Sequence, residues 1–319
     1  MALMNPKVIN EKIQERTIDE LAKKMIETCL KEGIETVWDR AEIQEPHCKW
    51  CVTGVSCARC TMGPCRIMPD INRERGVCGA DADLIVARNL LDTLATGAAS
   101  HSDHGREIVE TLLLVGRGES SGYVITDPEK LMAIAEEYNI PIDRETTEVA
   151  HDLALAFLEE FGTIKGEIEL CRRAPDATYE IWRETGILPR SVDREIVESM
   201  HRIQMGVGAH YANILVQGLR TALADGWGGS MMATEVSDIL FGTPVPCESQ
   251  INLGVLKEDH VNIALHGHNP MLSEMIVQAA ESDEILTLAK HYGASGINLV
   301  GLCCTGNELL MRRGIPMAG

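Results

Sequence analysis

Apolar residues recur at every third or fourth position through most of the first 245 residues, the period of helices that bury one face. From Thr17 to Gly33, the positions Ile18, Leu21, Met25, Ile26 and Leu30 predict an amphipathic helix ended by Gly33, with Cys29 a small core residue within it. Asp81 to Thr96 predicts another, burying Leu84, Ile85, Ala87, Leu91 and Leu94 and closed by Gly97. A short link through Ser100-His101-Ser102-Asp103-His104-Gly105 then opens a helix to Leu114. Residues 127–204 read as further helices with turns at Asp127-Pro128, Gly186 and Pro189. Met200 to Ala224 continues helically to a break at Asp225-Gly226-Trp227-Gly228-Gly229-Ser230.

From about residue 250 the period changes. Val261 to Leu265 is a short apolar run ending in His266-Gly267-His268-Asn269-Pro270 and followed by a helical Met271 to Ala280. Gly296 to Leu302 is a second such run, ending in Cys303-Cys304-Thr305-Gly306-Asn307 with a helix from Glu308. Strand, polar loop, helix, repeated, is the rhythm of a parallel α/β domain, whose ligands bind at the carboxyl ends of the strands. The expected architecture is an α-helical amino-terminal domain over 1–245, carrying a cysteine-rich loop at 48–78, followed by the start of a Rossmann-like parallel-sheet domain over 246–319. Adjacent strands would bring an imidazole and a thiolate to one place; the plainer reading is a structural cysteine and a loop histidine.

Composition agrees with a helix-rich chain packed by small side chains: 45% of the 319 residues are apolar and only 4% aromatic. A formal charge of -19 argues against a nucleic-acid surface, which needs basic residues to displace counterions. Residues 1–30 carry charges too regularly for a signal-peptide core, and no uncharged run is long enough to span a bilayer. The expected location is therefore the reducing cytoplasm, where metal ligation of cysteines is favoured over disulfides.

Six of the eleven cysteines lie between positions 48 and 78. Cys57, Cys60, Cys65 and Cys78 follow the spacing C-x2-C-x4-C-x12-C, and the loops between them carry too few apolar residues to pack unaided. That pattern predicts an iron–sulfur site; structural zinc, which usually takes two facing C-x2-C knuckles, is the alternative. Cys48 and Cys51 form a further C-x2-C with no vacancy in the first site. Either a twofold-related subunit supplies two more thiols, placing a shared cluster on a dimer axis, or the pair is redox-labile or idle. His101 and His104, three residues apart, would share a face near a helix start, where such pairs are usually solvated or capping.

Seven motifs in order, C-A-R-C-T-M-G-P-C-R, R-G-V-C-G-A, I-V-A-R-N, T-G-A-A-S-H-S-D-H-G, D-I-L-F-G-T-P, L-H-G-H-N-P and N-L-V-G-L-C-C-T-G-N-E, resemble the catalytic subunit of anaerobic nickel–iron carbon monoxide dehydrogenase from Cys48 onward. The resemblance implies a 4Fe-4S B cluster on Cys57, Cys60, Cys65 and Cys78, and a D cluster shared across a homodimer through Cys48 and Cys51. Many members of that family have a cysteine where this chain has Ser56, and the short C-x2-C form resembles the variant with a 2Fe-2S bridge, a 4Fe-4S bridge being the alternative. His268 and Cys304 match ligands of the outer iron of a nickel-containing 4Fe-4S C cluster, and Cys303 matches a neighbour that is not normally the principal ligand. His101 matches an active-site histidine and His104 the first of a proton-relay series. The implied activity is reversible oxidation of CO with water to CO2, with electrons passed through the B and D clusters to ferredoxin or a similar carrier. Subunits of that family are about twice as long, and their second half carries the other C-cluster cysteines and a lysine near substrate. The chain is therefore expected to be an amino-terminal portion without a complete C cluster of its own. Two rivals are a non-catalytic iron–sulfur electron-transfer or scaffold protein and a hybrid-cluster hydroxylamine reductase.

Overall fold

A computed structural model describes residues 13–120 and 122–318. The chain divides into two compact units, one spanning Cys48–Pro244 and one in which the described residues up to His47 group with those from Val245 onward. Those early residues thus fall outside the helical domain expected over 1–245. The physical link is α1 (Glu20–Glu32), whose Leu21 reaches the 3-10 turn Leu253–Val255 at Gly254. Asp19 caps α1 by accepting from Ala22 N, so the helix starts after Ile18, which is 97% exposed and not a core residue. Gly33 ends it in the left-handed conformation, as expected. A second helix, α2 (Val37–Ile43), follows.

The Cys48–Pro244 unit begins with the one-turn helix α3 (Lys49–Val52) and is built around α4 (Ala82–Gly116), 35 residues long and capped by Asp81, whose carboxylate accepts from Leu84 N. The expected stop at Gly97 does not occur. Ala95, Ala98, Ser102, Gly105, Ile108, Val109 and Leu112 carry the buried stripe straight through it, and packing on neighbouring helices outweighs the roughly 1 kcal/mol that an interior glycine costs. His101 and His104 consequently sit mid-helix, not at a helix entrance. The chain continues through α5 (Pro128–Glu137), α6 (Thr146–Gly162), α7 (Asp176–Thr185), α8 (Val192–Arg202), α9 (Tyr211–Ala224) and α10 (Ser230–Phe241), of which α6, α8, α9 and α10 pack on α4 while α5 packs on α6 and α10.

Two further expectations change here. The helical run foreseen from Met200 to Ala224 is interrupted after Arg202 and resumes at Tyr211, with Gly206 in the left-handed region between. Asp225–Gly229 is one turn of π-helix joining α9 to α10 rather than a break. Gly228 and Gly229 are there for close approach: a Cβ on Gly228 would stand 2.7 Å from Val192 Cγ2, and one on Gly105 of α4 2.7 Å from Gly229 O, so the α4 and π-turn backbones touch where any side chain would hold them apart. Between α8 and α9, the fully buried Glu195 accepts from Arg190 Nε and Nη2 at 2.8 and 2.9 Å and from Gln217 Nε2 at 3.0 Å. Burial pushes that carboxyl up, but the Arg190 and Gln217 bonds more than offset it and hold it below the usual range.

In the other unit, β3 (His260–His266) pairs in parallel with β4 (Gly296–Leu302), with α11 (Pro270–Ala280) and α12 (Asp283–His291) between them in sequence and α13 (Cys303–Arg313) after. On the far side of β4, Met317 bridges in parallel to Gly301 and to Ile251. Leu265, Val277 and Leu309 form the core between sheet and helices. The helical unit and the parallel α/β segment are the fold class the hydrophobic pattern implies. Among the described residues no helix is long and apolar enough to cross a membrane.

Candidate metal centre

The four cysteines of the C-x2-C-x4-C-x12-C run line one pocket. Two short strands, β1 (Ser56–Cys57) and β2 (Cys65–Arg66), pair antiparallel and set Cys57 opposite Cys65. Asn89 of α4 fastens this hairpin, donating to Gly54 O and Ser56 O, both at 2.9 Å. Gly76 passes so close that a Cβ there would lie 3.3 Å from Cys65 Sγ, and the next residue, Val77, donates its N–H to that sulfur at 3.4 Å. Arg88 Nη1 stands 3.7 Å from Cys78 Sγ. Burial pushes the Cys78 thiol up, yet the Ala80 N–H and the Arg88 guanidinium outweigh it and bring it below its ordinary value. Among the described residues no three His, Cys, Asp or Glu side chains are spaced to hold a single metal ion. Four thiols lining one pocket, with the Val77 N–H already donated to the Cys65 sulfur, suit a polynuclear cluster, whose sulfurs accept such bonds, better than zinc.

Cys48 and Cys51 are both exposed, one before and one within α3. The Cys51 N–H and thiol and the Trp50 N–H lower the Cys48 thiol below its ordinary value. Ser56 Oγ lies 3.4 Å from Cys51 Sγ.

At the carboxyl ends of the parallel strands, the register sets His266 beside Leu302, so the H-G-H-N-P loop and the cysteine pair meet as expected. The cysteines do not lie in a polar loop, however: α13 starts at Cys303 itself, with Cys303 at φ 57°. Gly301 and Gly306 press together there, a Cβ on the former falling 2.5 Å from Gly306 Cα, and Gly267 O accepts from Thr305 N at 2.8 Å. His268 and Cys304 are exposed at this end. A side-chain contact at this end is His266 Nε2 to Cys303 Sγ at 3.1 Å, involving a histidine that the spacing alone did not separate from His268. Cys247 places its sulfur 3.5 Å from Leu310 O.

On α4, His101 Nδ1 is 2.7 Å from Asp225 Oδ1, on the π-turn held by the Gly105–Gly229 contact. The carboxylate can only accept, so Nδ1 carries the proton and Nε2 is left as the basic nitrogen. Ser230 Oγ also reaches Asp225 Oδ1, at 3.5 Å. His104 is buried three residues further along the helix. Asp225, Arg88 and Asn89 are the residues the sequence reading missed.

Residues 55–319 match the prismane/CO dehydrogenase family. The chain belongs to that family. Carbon monoxide dehydrogenase 1 of Methanosarcina mazei is 55% identical over 96% of this chain and 49% of its own length. The as-isolated, nickel-free carbon monoxide dehydrogenase of Thermococcus sp. AM4 superposes with a TM-score of 0.92 at 48% identity, covering 96% of this chain and 49% of that one. Carbon monoxide dehydrogenase IV of Carboxydothermus hydrogenoformans gives 0.89 at 40% identity, over 95% and 48%. The chain thus spans about half the length of the carbon monoxide dehydrogenases it matches, 49% for the Methanosarcina protein. Within this family framework, the described half offers one four-thiol pocket, one exposed thiol pair, and a histidine–cysteine group at the sheet end.

Proposed function

We propose that the protein is part of a carbon monoxide dehydrogenase, oxidising CO with water to CO2, two protons and two electrons, and that this half supplies an electron relay and part of the catalytic metal site. The observation that carries the reading is the convergence of Cys57, Cys60, Cys65 and Cys78 on one pocket, with Val77 N–H aimed at one of the sulfurs. A 4Fe-4S B cluster bound there supplies a one-electron carrier. Asn89 and the Cys57–Cys65 pairing keep the thiols fixed, which limits the rearrangement accompanying each electron.

We assign Cys48 and Cys51 to half of a D cluster, 2Fe-2S in nuclearity, completed by the same pair of a second copy in a homodimer. Their exposure supports this. Five basic and two acidic residues lie between Cys48 and Cys78 in a chain of net charge -19, a local reversal that favours an acidic electron carrier such as a ferredoxin. His268 and Cys304 are assigned to the outer iron of a nickel-containing 4Fe-4S C cluster, with Cys303 as a secondary ligand. When bound, that group supplies a site for CO and an acidified water. His101 takes up a proton at Nε2 while Asp225 stabilises the imidazolium from Nδ1, and His104 continues the path along α4. The assigned compartment is the cytoplasm, which keeps these thiols reduced.

Iron, nickel and zinc counted per chain, on protein isolated without oxygen, test the reading. About five irons without nickel is expected, one cubane plus half of a two-iron bridge. Zinc in place of iron would overturn the relay; nickel near one per chain would show that the C cluster assembles with the residues of this chain.

A further inference from the structure

Two guanidinium groups line the four-thiol pocket, and their surroundings differ. Arg59 is neutralised by Asp92 at 2.6 Å. Arg88 is 2% exposed, donates through Nη2 to Gly208 O and through Nη1 to Cys78 Sγ at 3.7 Å, and has no carboxylate partner among the described residues. Its Nε is buried without an acceptor. Arginine keeps its charge at any pH a protein survives, and a buried charge lacking a counter-charge is strongly destabilising. A fold that tolerates one beside four thiols holds a place for an anion between them.

We infer that Arg88 is the counter-charge of the cluster on Cys57, Cys60, Cys65 and Cys78 and sets its reduction potential, a positioning and tuning role for a residue 10 positions beyond the last ligand. The inference rests on the iron–sulfur reading of these thiols. A thiolate-bound cluster is net negative, and one-electron reduction makes it more so; a fixed cation within hydrogen-bonding range of one sulfur favours the reduced form. Among the described residues that line the pocket no other cation does the same, because the Arg59 charge is spent on Asp92. The two-pronged contact also ties the last ligand to Gly208, 120 residues away in sequence, so the charge is held at a constant place.

The test is a potentiometric titration with dithionite, the reduced cluster read by electron paramagnetic resonance, on the parent, Arg88→Gln and Arg88→Lys. Loss of the cation in Arg88→Gln lowers the midpoint by at least a tenfold change in the reduction equilibrium, about 59 mV for one electron. Arg88→Lys keeps the charge while giving up the fork to Gly208, and stays within threefold of the parent; a purely structural role would move both variants alike. An unshifted Arg88→Gln with an unchanged cluster spectrum overturns the inference and leaves the cluster reading standing. A parent that binds no redox-active iron overturns both. A measurement independent of folding uses parent protein with 15N-labelled arginine: pulsed resonance of the reduced cluster shows a guanidinium nitrogen coupling that Arg88→Lys lacks, and its absence from the parent refutes the inference.

Discussion

Gly97 and Gly105 lie eight residues apart in one helix, and the same substitution in each should act with opposite sign. A Cβ on Gly97 meets nothing within 4 Å, so Gly97→Ala gains only the helix preference of alanine, about 0.5–1 kcal/mol. A Cβ on Gly105 would lie 2.7 Å from Gly229 O and 3.3 Å from Phe161 Cζ. The first of these is backbone, which cannot swing aside, and overpacking of this kind costs about 1–3 kcal/mol. After the helix gain is subtracted, Gly105→Ala should lose roughly 1–2 kcal/mol. For a unit of this size that corresponds to a thermal midpoint lower by about 2–8 °C, against a rise of about 1–4 °C for Gly97→Ala. Calorimetry of parent and both variants reads the pair directly. The contact also holds the turn that carries Asp225 against His101 at 2.7 Å, so 15N NMR of the imidazole should show Nδ1 losing its fixed proton in Gly105→Ala alone. If Gly105→Ala melts at or above the parent temperature, the two glycines do not make the close contact and the placement of Asp225 loses its support.

Burial raises the Glu160 carboxyl to about 7, with the Glu169 N–H, donated to Oε1 at 3.1 Å, opposing it only in part. The folded chain therefore binds more protons than the unfolded one between about pH 4.5 and 7, and stability present at pH 5 is lost as pH rises through 7, on the order of 2–3 kcal/mol by pH 8; Glu160→Gln should abolish that loss in urea titrations at the two pH values. Glu198 shows the opposite sign. Burial raises its carboxyl but bonds from Arg190 and Arg202 win and bring it down to about 2, so its contribution is complete above about pH 4.5 and disappears as pH falls towards 2, and Glu198→Gln should flatten the acid limb of the stability profile. Cys171, fully buried and pushed up to about 12 chiefly by that burial, should resist iodoacetamide at pH 8 in the native protein while the exposed Cys247 reacts; peptide mapping that finds Cys171 alkylated without denaturant would contradict its burial.

What could be read from the sequence depended on the distance over which each constraint acts. Asp81, Asp127, Gly33 and Gly186 mark helix ends correctly because a cap is a bond between residues two to four apart, whereas the apolar period passes over the Asp19 cap in favour of a start at Thr17. The four-cysteine spacing is legible for a related reason, since short loops between ligands leave few ways to converge. Strand ends could be paired from the repeat of strand, loop and helix, although Cys303 proved to open a helix because Gly301 and Gly306 bring strand and helix into backbone contact. Glycine is where local reasoning misled. Gly97 and the glycines at 226, 228 and 229 carry the same breaking signal in a one-dimensional pattern, yet the first is tolerated inside a packed helix and the last two serve a crossing whose partners lie far off in the chain. Asp225 is 124 residues from His101, and Gly208 is 120 from Arg88, so neither pairing leaves a trace in spacing or period. Ligand spacing is therefore evident from the chain alone, whereas the groups that would set a ligand's charge or hold a base in one tautomer emerge only once the long helix has brought its neighbours together.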